Sequence, residues 1–453
     1  MSAVALDYTY RYEVPSCLMA DGSGDRLFLS TTSAPERSPL FFQGALQQPR
    51  RAADLLLALS RVVRTRFHIP PAMLARIVAQ SDPVVTCSED RLRFEGFSSC
   101  CSAYARVDFL PDALHGTLLG HGTTNVDFNA PMRGALAQIR EREAVRLSVG
   151  PGEVELSRDS GSAVERKVPL PVRWLKGFVE AQAHQARLSL RLEISGSEAR
   201  RFLRALPRSG TQGRPAFVTP SGQGLRLSQV PSKNAVRVAG VERLLVLEDL
   251  ARHSRKLRVY AGDSTQASGW ELVLDDAHFH LVISPEVWRG FSGEGQALTE
   301  LAGDSTENAA ARVRSALRWQ SCLDADALAR ECGMGRRLVL LALAKLGASG
   351  IVGYDLGEGA YFHRELPFDY SQLDALHPRL REARALLADG GVQIEREDAE
   401  GVHAWVRGSG VEHRVRLTME GSRCTCPWWG KHQGERGPCK HVLAVQLHVG
   451  GEQ

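Results

Sequence analysis

Cys424 and Cys426 stand one residue apart, and after twelve intervening residues Cys439 and His441 repeat that spacing. No other stretch restricts the local fold as tightly as these four donors. Side chains two positions apart on an extended strand share a face, so Cys424 and Cys426 can reach one ion from a strand. On a helix the same two positions diverge by about 200°. Cys439 is therefore expected just before a helix and His441 in its first turn, with Val442 to Val449 continuing it. The predicted unit is a hairpin followed by a helix. Three thiolates and one imidazole complete a tetrahedral shell around Zn2+ and leave no position for water, the mark of a structural ion. Disulfides or scattered free thiols are the alternative. The chain reads as cytosolic, however, where thiols stay reduced, and its other cysteines show no metal-ligand spacing.

Cys-x-Cys, a gap, then Cys-x-His resembles the SWIM-type zinc finger. Two further runs, Thr123-Thr124-Asn125-Val126-Asp127 and Glu165-Arg166-Lys167-Val168-Pro169-Leu170-Pro171, resemble bacterial SWIM zinc finger family proteins of similar length. The resemblance implies a finger that binds DNA or protein partners. It also implies a partner system with a MoxR-type AAA ATPase and von Willebrand A domain proteins.

Length and composition set the frame. A chain of 453 residues, 43% hydrophobic, can bury more than one core. With 56 Lys and Arg against 52 Asp and Glu the formal charge is only +4, so any basic surface for nucleic acid must be local. Met1 to Cys17 carries Asp7, Arg11 and Glu13 and lacks an apolar run, which predicts no secretory leader. The longest purely apolar run, Leu338 to Ala344, is far short of a membrane span. Both readings point to a cytoplasmic protein without a membrane partner.

The fold class expected is α+β and multidomain. Residues 1–290 alternate helices and short strands, as one α+β region or as two duplicated subdomains. Helices are expected at Arg50–Val63, Pro131–Ile139, Ser197–Leu206 and Gly240–His253, each leading into a pair of strands, a rhythm shared by sliding-clamp-like and related duplicated folds. Most of these strands alternate apolar and polar residues, which predicts antiparallel sheets with one wet face. His278 and His280 flank Phe279 on one such strand; they read either as a metal pair beside Asp275 or Asp276, or as a solvent-facing pair. Gly116 to Thr124 lacks the Gly-Lys-Ser/Thr ending of a phosphate loop and reads as a plain loop. The basic run Val164 to Phe178, with Arg166, Lys167, Arg173, Trp174 and Lys176, reads either as a strip of bases and an aromatic for nucleic acid or, more commonly for such runs, as a solvated strand edge leading into a helix. No triad, acid pair or dinucleotide fingerprint is evident.

Gly290 to Glu307 reads as a linker. Residues 296–366 then read as three helices and a two-stranded hairpin, a winged-helix-like domain. Its third helix, Arg336 to Leu346, is apolar nearly all round, which suits packing or protein contact better than base readout. Residues 372–453 complete the chain as a SWIM-type ββα finger on a small sheet. Arg423, Lys431, Arg436 and Lys440 either neutralise the metal core or, with Trp428, Trp429 and His432, form a surface for phosphate and stacking contacts. Adjacent tryptophans on a strand cannot both point inward, so one is expected to be exposed.

The sequence thus reads as a non-enzymatic, zinc-binding interaction or adaptor protein. Its expected zinc ligands are Cys424, Cys426, Cys439 and His441. DNA or RNA binding through the finger and winged helix is the second reading.

Overall fold

The computed structural model describes residues 17–21, 24–28 and 40–451, apart from 67–82, 127, 169, 171, 209–214, 286–289, 292–294, 296, 302–306, 367–376, 409 and 419–420. Met1 to Ser16, parts of the linker, and Asp127, Pro169 and Pro171 of the runs noted above lie outside the described residues. Among the described residues no helix is long and apolar enough to cross a membrane.

Helix α1 (Pro49–Arg64) begins on a proline, whose missing N–H costs nothing in a first turn, and buries Leu55, Leu56, Leu59 and Val63 on one face. It lies on an antiparallel eight-stranded sheet. The strands run in the order Ser189–Ser195, Lys256–Gly262, Thr265–Val273, Ala277–Ile283, Ala103–Phe109, Leu92–Phe97, Val84–Cys87 and Gly122–Asn125. A five-stranded sheet built around Phe42–Leu46 and a three-stranded sheet around Pro215–Ser221 accompany it. Between them run α2 (Ala130–Gln138), α3 (Val172–Gln185) and α4 (Gly196–Arg204). The helix expected over Gly240–His253 forms two 3-10 segments instead, Val241–Leu247 and Leu250–His253. The glycine-rich stretch expected to be a loop is largely strand, Leu114–Leu118 and Gly122–Asn125. Gly116 is needed there because a Cβ would meet the backbone of Gly44 on the neighbouring strand.

The wet face expected for the large sheet is not wet. Leu92–Phe97 and Ala103–Phe109 are buried along their whole length. Register aligns Glu95, Arg106, His280, Glu271, Arg258 and Glu193 in one row across the sheet, so every neighbouring pair except Arg106 and His280 sets an acid against a base. Glu193 stays exposed, while the stretch of this row from Glu95 to Glu271 is buried under later parts of the chain. After α5 (Leu298–Leu301), α6 (Glu307–Ser315), α7 (Ala325–Cys332) and α8 (Arg336–Ala348), a hairpin of Val352–Asp355 and Ala360–His363 folds onto it.

Asp355 from this hairpin takes ion pairs from Arg93 at 3.1 Å and Arg106 at 3.0 Å. Arg106 also holds Asp108 at 2.8 Å, and Arg364 holds Glu95 at 2.8 Å. Phe362 lies under the guanidinium of Arg93 at 4.2 Å. Three guanidiniums thus meet three carboxylates, which is what allows all six to be buried. The partners expected for His278 and His280 are replaced accordingly. His278 pairs with Glu271 at 3.0 Å and His280 sits 3.5 Å from Asp108, whereas Asp275 and Asp276 are engaged by Arg255 and Arg51.

Among the described residues three apolar clusters form: one under the large sheet, one among α6, α7 and α8, and one within the C-terminal region. The last recruits Val179 and Ala183 from α3, Leu298 and Leu301 from α5, and Ala348 from α8. Residues read as linker therefore contribute core side chains. Asp324 caps α7, its side chain accepting from Asp326 N and Ala327 N, and Gly333 closes the helix in the left-handed region.

Truncating Asp355 would leave two buried guanidiniums short of a counter-charge, a loss of about 3–5 kcal/mol. Asp355→Ala is expected to lower the urea midpoint and strip hydrogen-exchange protection from residues 352–363 first. Acid should act on the same lattice. Burial alone raises the Glu271 pKa, but the hydrogen bond from His278 and the charge of His280 outweigh it and pull it down to about 2. Asp108 and Asp355 are also held below the usual carboxylate range, because Arg106 and Arg93 outweigh the cost of burial. Depressed acids stabilise above their unfolded values, so the thermal midpoint should hold from pH 7 to about 5 and fall between about pH 4 and 2. Glu271→Gln should flatten part of that fall.

Candidate metal centre

A four-stranded sheet, in the order Val392–Asp398, Gly401–Arg407, Glu412–Thr418 and Gly421–Cys424, carries the C-terminal site. It is flanked by α9 (Pro378–Ala388), α10 (Pro427–His432) and α11 (Lys440–Gly451). Cys424 ends its strand opposite Val415, both inward and buried. The extended arrangement expected for the cysteine pair stops there. Pro427 cannot donate to a ladder but suits a helix start, so Cys426 becomes the N-cap of α10, with Trp429 N donating to its Sγ at 3.4 Å. Gln433, Gly434 and Gly437, all at positive φ, turn the chain back. Cys439 then precedes α11 and His441 lies in its first turn, where the sequence places them.

The four candidate ligand atoms lie within 4.8 Å of one another. Sulfurs about 2.3 Å from a tetrahedral ion would stand about 3.8 Å apart. His441 Nδ1 is 3.9 Å from Cys424 Sγ, which identifies it as the inward nitrogen. Each sulfur also accepts a backbone N–H: Cys424 from Cys426 at 3.5 Å, Cys426 from Trp429 at 3.4 Å, and Cys439 from Val442 at 3.5 Å. Such bonds to charged sulfur orient ligands and offset their charge. Without an ion the thiols share protons among themselves. The hydrogen bond from Cys424 pulls Cys439 down to about 4, and the same bond pushes Cys424 up. Burial raises Cys426. A donor set that holds one sulfur as an acceptor and crowds two more against it fits a dication. Zn2+ would be held by these four residues and would serve as a staple between sheet and helix, with no side open to chemistry.

The surrounding residues divide. Trp428 and Trp429 lie on α10, not on a strand, and both are half-buried. Trp428 stands against the guanidiniums of Arg379 at 4.7 Å and Arg436 at 5.1 Å. Lys440 pairs with Glu382 of α9 at 3.0 Å. Lys431 is exposed. Arg423 lies on the outer face of the sheet, directly opposite Arg416, and so does not neutralise the metal centre as one reading expected.

Arg379 carries no signal in the sequence, yet its Nη1 donates to the carbonyls of Arg436 at 2.9 Å and Pro438 at 2.7 Å, which fixes the turn before Cys439. Gly437 has φ +71°, and a Cβ there would meet the Gly295 carbonyl, so the linker presses on the finger at a pair of glycines. Among the described residues two other groups converge closely enough for an ion, Glu271 with His278 and His280, and Asp108 with His280 and Asp355. The aspartates of the second already hold guanidiniums.

Residues 413–450, from the third strand of this sheet into α11, match the SWIM zinc finger family. The chain therefore contains a SWIM zinc finger. No curated protein matches it. Among solved structures, it is similar to Proliferating Cellular Nuclear Antigen from Entamoeba histolytica at 8% identity and a TM-score of 0.37, over 55% of this chain and 99% of that one. It is also similar to the PCNA2-PCNA3 complex from Sulfolobus tokodaii at 8% identity and a TM-score of 0.38, over 54% and 99% of the respective chains.

Purified protein should contain one zinc per chain by elemental analysis. Cys439→Ser should abolish it, and a strong chelator should erase the amide dispersion of residues 413–450 while leaving that of the large sheet, because the ion supplies folding energy only locally.

Proposed function

We propose that this SWIM zinc finger domain-containing protein is a non-enzymatic interaction protein whose zinc-stapled finger and third middle-region helix face a protein partner. The observation that carries this reading is the state of α8. A helix that reads bases presents polar side chains. Here Val339, Ala342, Leu343 and Leu346 are buried, while Leu338 and Leu341 are exposed at 36% and 44%. Leu340, Leu341 and Ala344 line an apolar groove of about 640 Å³ against Val179 and Ala183 of α3, with Arg337 at its rim. The hairpin that follows, the wing of the winged-helix reading, is spent on the charge lattice of the large sheet. Both elements that such a module would turn toward DNA are thus apolar or occupied. A MoxR-type ATPase or a von Willebrand A domain protein, implied by resemblance, is the first partner to test. A cytoplasmic setting fits the reduced cysteines of the finger.

A second reading, nucleic-acid binding, has its own support. Arg416 and Arg423 stand opposite each other on the exposed face of the finger sheet, with no acid paired to either among the described residues. Directly opposed like charges destabilise a sheet, and a phosphate would relieve them.

The two readings separate in one set of measurements on the full chain. If the interaction reading holds, Leu341→Glu removes capture of the partner with zinc content unchanged, and double Arg416→Gln, Arg423→Gln leaves capture intact. A low-salt gel shift whose salt slope drops by about 2 in that double variant would establish the nucleic-acid reading instead.

A further inference from the structure

Beside the metal centre, α3, the start of α9 and the finger enclose a second cavity of about 390 Å³. Three hydrogen-bond donors lining it have no acceptor among the described residues. The first is Lys176, half-buried on α3 without an ion pair, whose pKa is lowered by burial. The second is Trp428 Nε1, buried and without a hydrogen-bond partner. The third is His441, only 5% exposed: with Nδ1 facing Cys424, its Nε2 is left buried and without a partner. A metal-bound imidazole carries its proton on the outer nitrogen and ordinarily donates it to an acceptor.

The other donors of this cavity are engaged, and Glu180 Oε1 adds a buried acceptor beside them. Glu382 holds Lys440 at 3.0 Å, Glu180 accepts from Ala297 N at 3.4 Å, and Arg379 donates to the backbone before Cys439. The donors that remain are one ammonium and two neutral N–H groups. Their complement is a single oxyanion with one negative charge. A phosphate dianion would bring charge that one lysine cannot match, next to two glutamates and a zinc-thiolate centre of about −1. Leu298, Pro378 and Pro427 supply apolar wall for the methylenes that carry a carboxylate.

We propose that this cavity is a carboxylate-binding pocket, which takes an acidic side chain of a protein partner onto Lys176, Trp428 Nε1 and His441 Nε2. The source of the carboxylate rests on the interaction reading; the pocket itself does not.

The test uses the zinc-loaded full chain with three probes: N-acetyl-glutamate α-amide, N-acetyl-glutamine α-amide and inorganic phosphate. The readout is the Trp428 indole N–H resonance, assigned by its loss in Trp428→Phe. The glutamate probe should shift that resonance saturably, with a Kd on the order of 1 mM. The glutamine probe should not shift it, and phosphate should bind more weakly. Lys176→Met should weaken the glutamate probe at least tenfold, about 1.4 kcal/mol, with zinc stoichiometry unchanged, and Lys176→Arg should restore most of it. Equal shifts by glutamate and glutamine probes, tighter binding of phosphate, or undiminished affinity in Lys176→Met would each overturn the pocket. Partner capture that fails while the glutamate probe still binds would sink the interaction reading alone; capture that persists without probe binding would sink the pocket alone.

Discussion

Asp355 and its two guanidiniums set the architecture of everything C-terminal to the large sheet. Arg93, Arg106 and Asp108 project from strands whose other face is the main apolar core, so they cannot turn away from the surface they line. Covered without counter-charges they would be prohibitively costly, and covered by Asp355 and Arg364 they are balanced. That matching admits one docking of the hairpin and excludes its slippage by a residue, since a shift would exchange Asp355 for an apolar neighbour. Position is what the lattice provides, because a buried ion pair adds little net stability over a well-packed apolar pair.

Fixing the hairpin also fixes α8 against α3, and α3 then lends Val179 and Ala183 to the core of the finger region. The metal centre is therefore not a bead on a tether. Its sheet-to-helix staple is continued by Arg379, which ties the turn before Cys439 to α9, and by the close approach of Gly295 and Gly437. A zinc ion would hold the two ligand-bearing segments together, while packing against α3 and α5 determines what lies beside the four candidate ligands. The cavity of Lys176, Trp428 and His441 exists only because both constraints act together.

Legibility in the sequence followed the range of the interactions. Elements governed by local rules were readable: the helices over Arg50–Val63, Pro131–Ile139 and Ser197–Leu206, and the placement of Cys439 ahead of a helix. Readings failed where a distant segment changed a residue's surroundings. Polar alternation on Leu92–Phe97 and Ala103–Phe109 was a sound sign of strands but a false sign of solvent, because the covering hairpin lies about 250 residues later in the chain. The cysteine pair suggests a strand that would also carry the two tryptophans, but the strand ends at Cys424, two residues short of Cys426, and Pro427 begins a helix instead.

The sequence by itself identified the candidate ligand set, since a Cys-x-Cys and a Cys-x-His at that spacing have few physical uses other than one tetrahedral ion, and it indicated that strands and helices would alternate before them. Only the tertiary structure decided which polar face would be buried, which arginines would be consumed by carboxylates and which lysine would be left facing a cavity. The reason is that burial and charge pairing are properties of two segments at once. A residue's own neighbours in the chain specify its backbone, but its dielectric surroundings and counter-charges arrive from elsewhere.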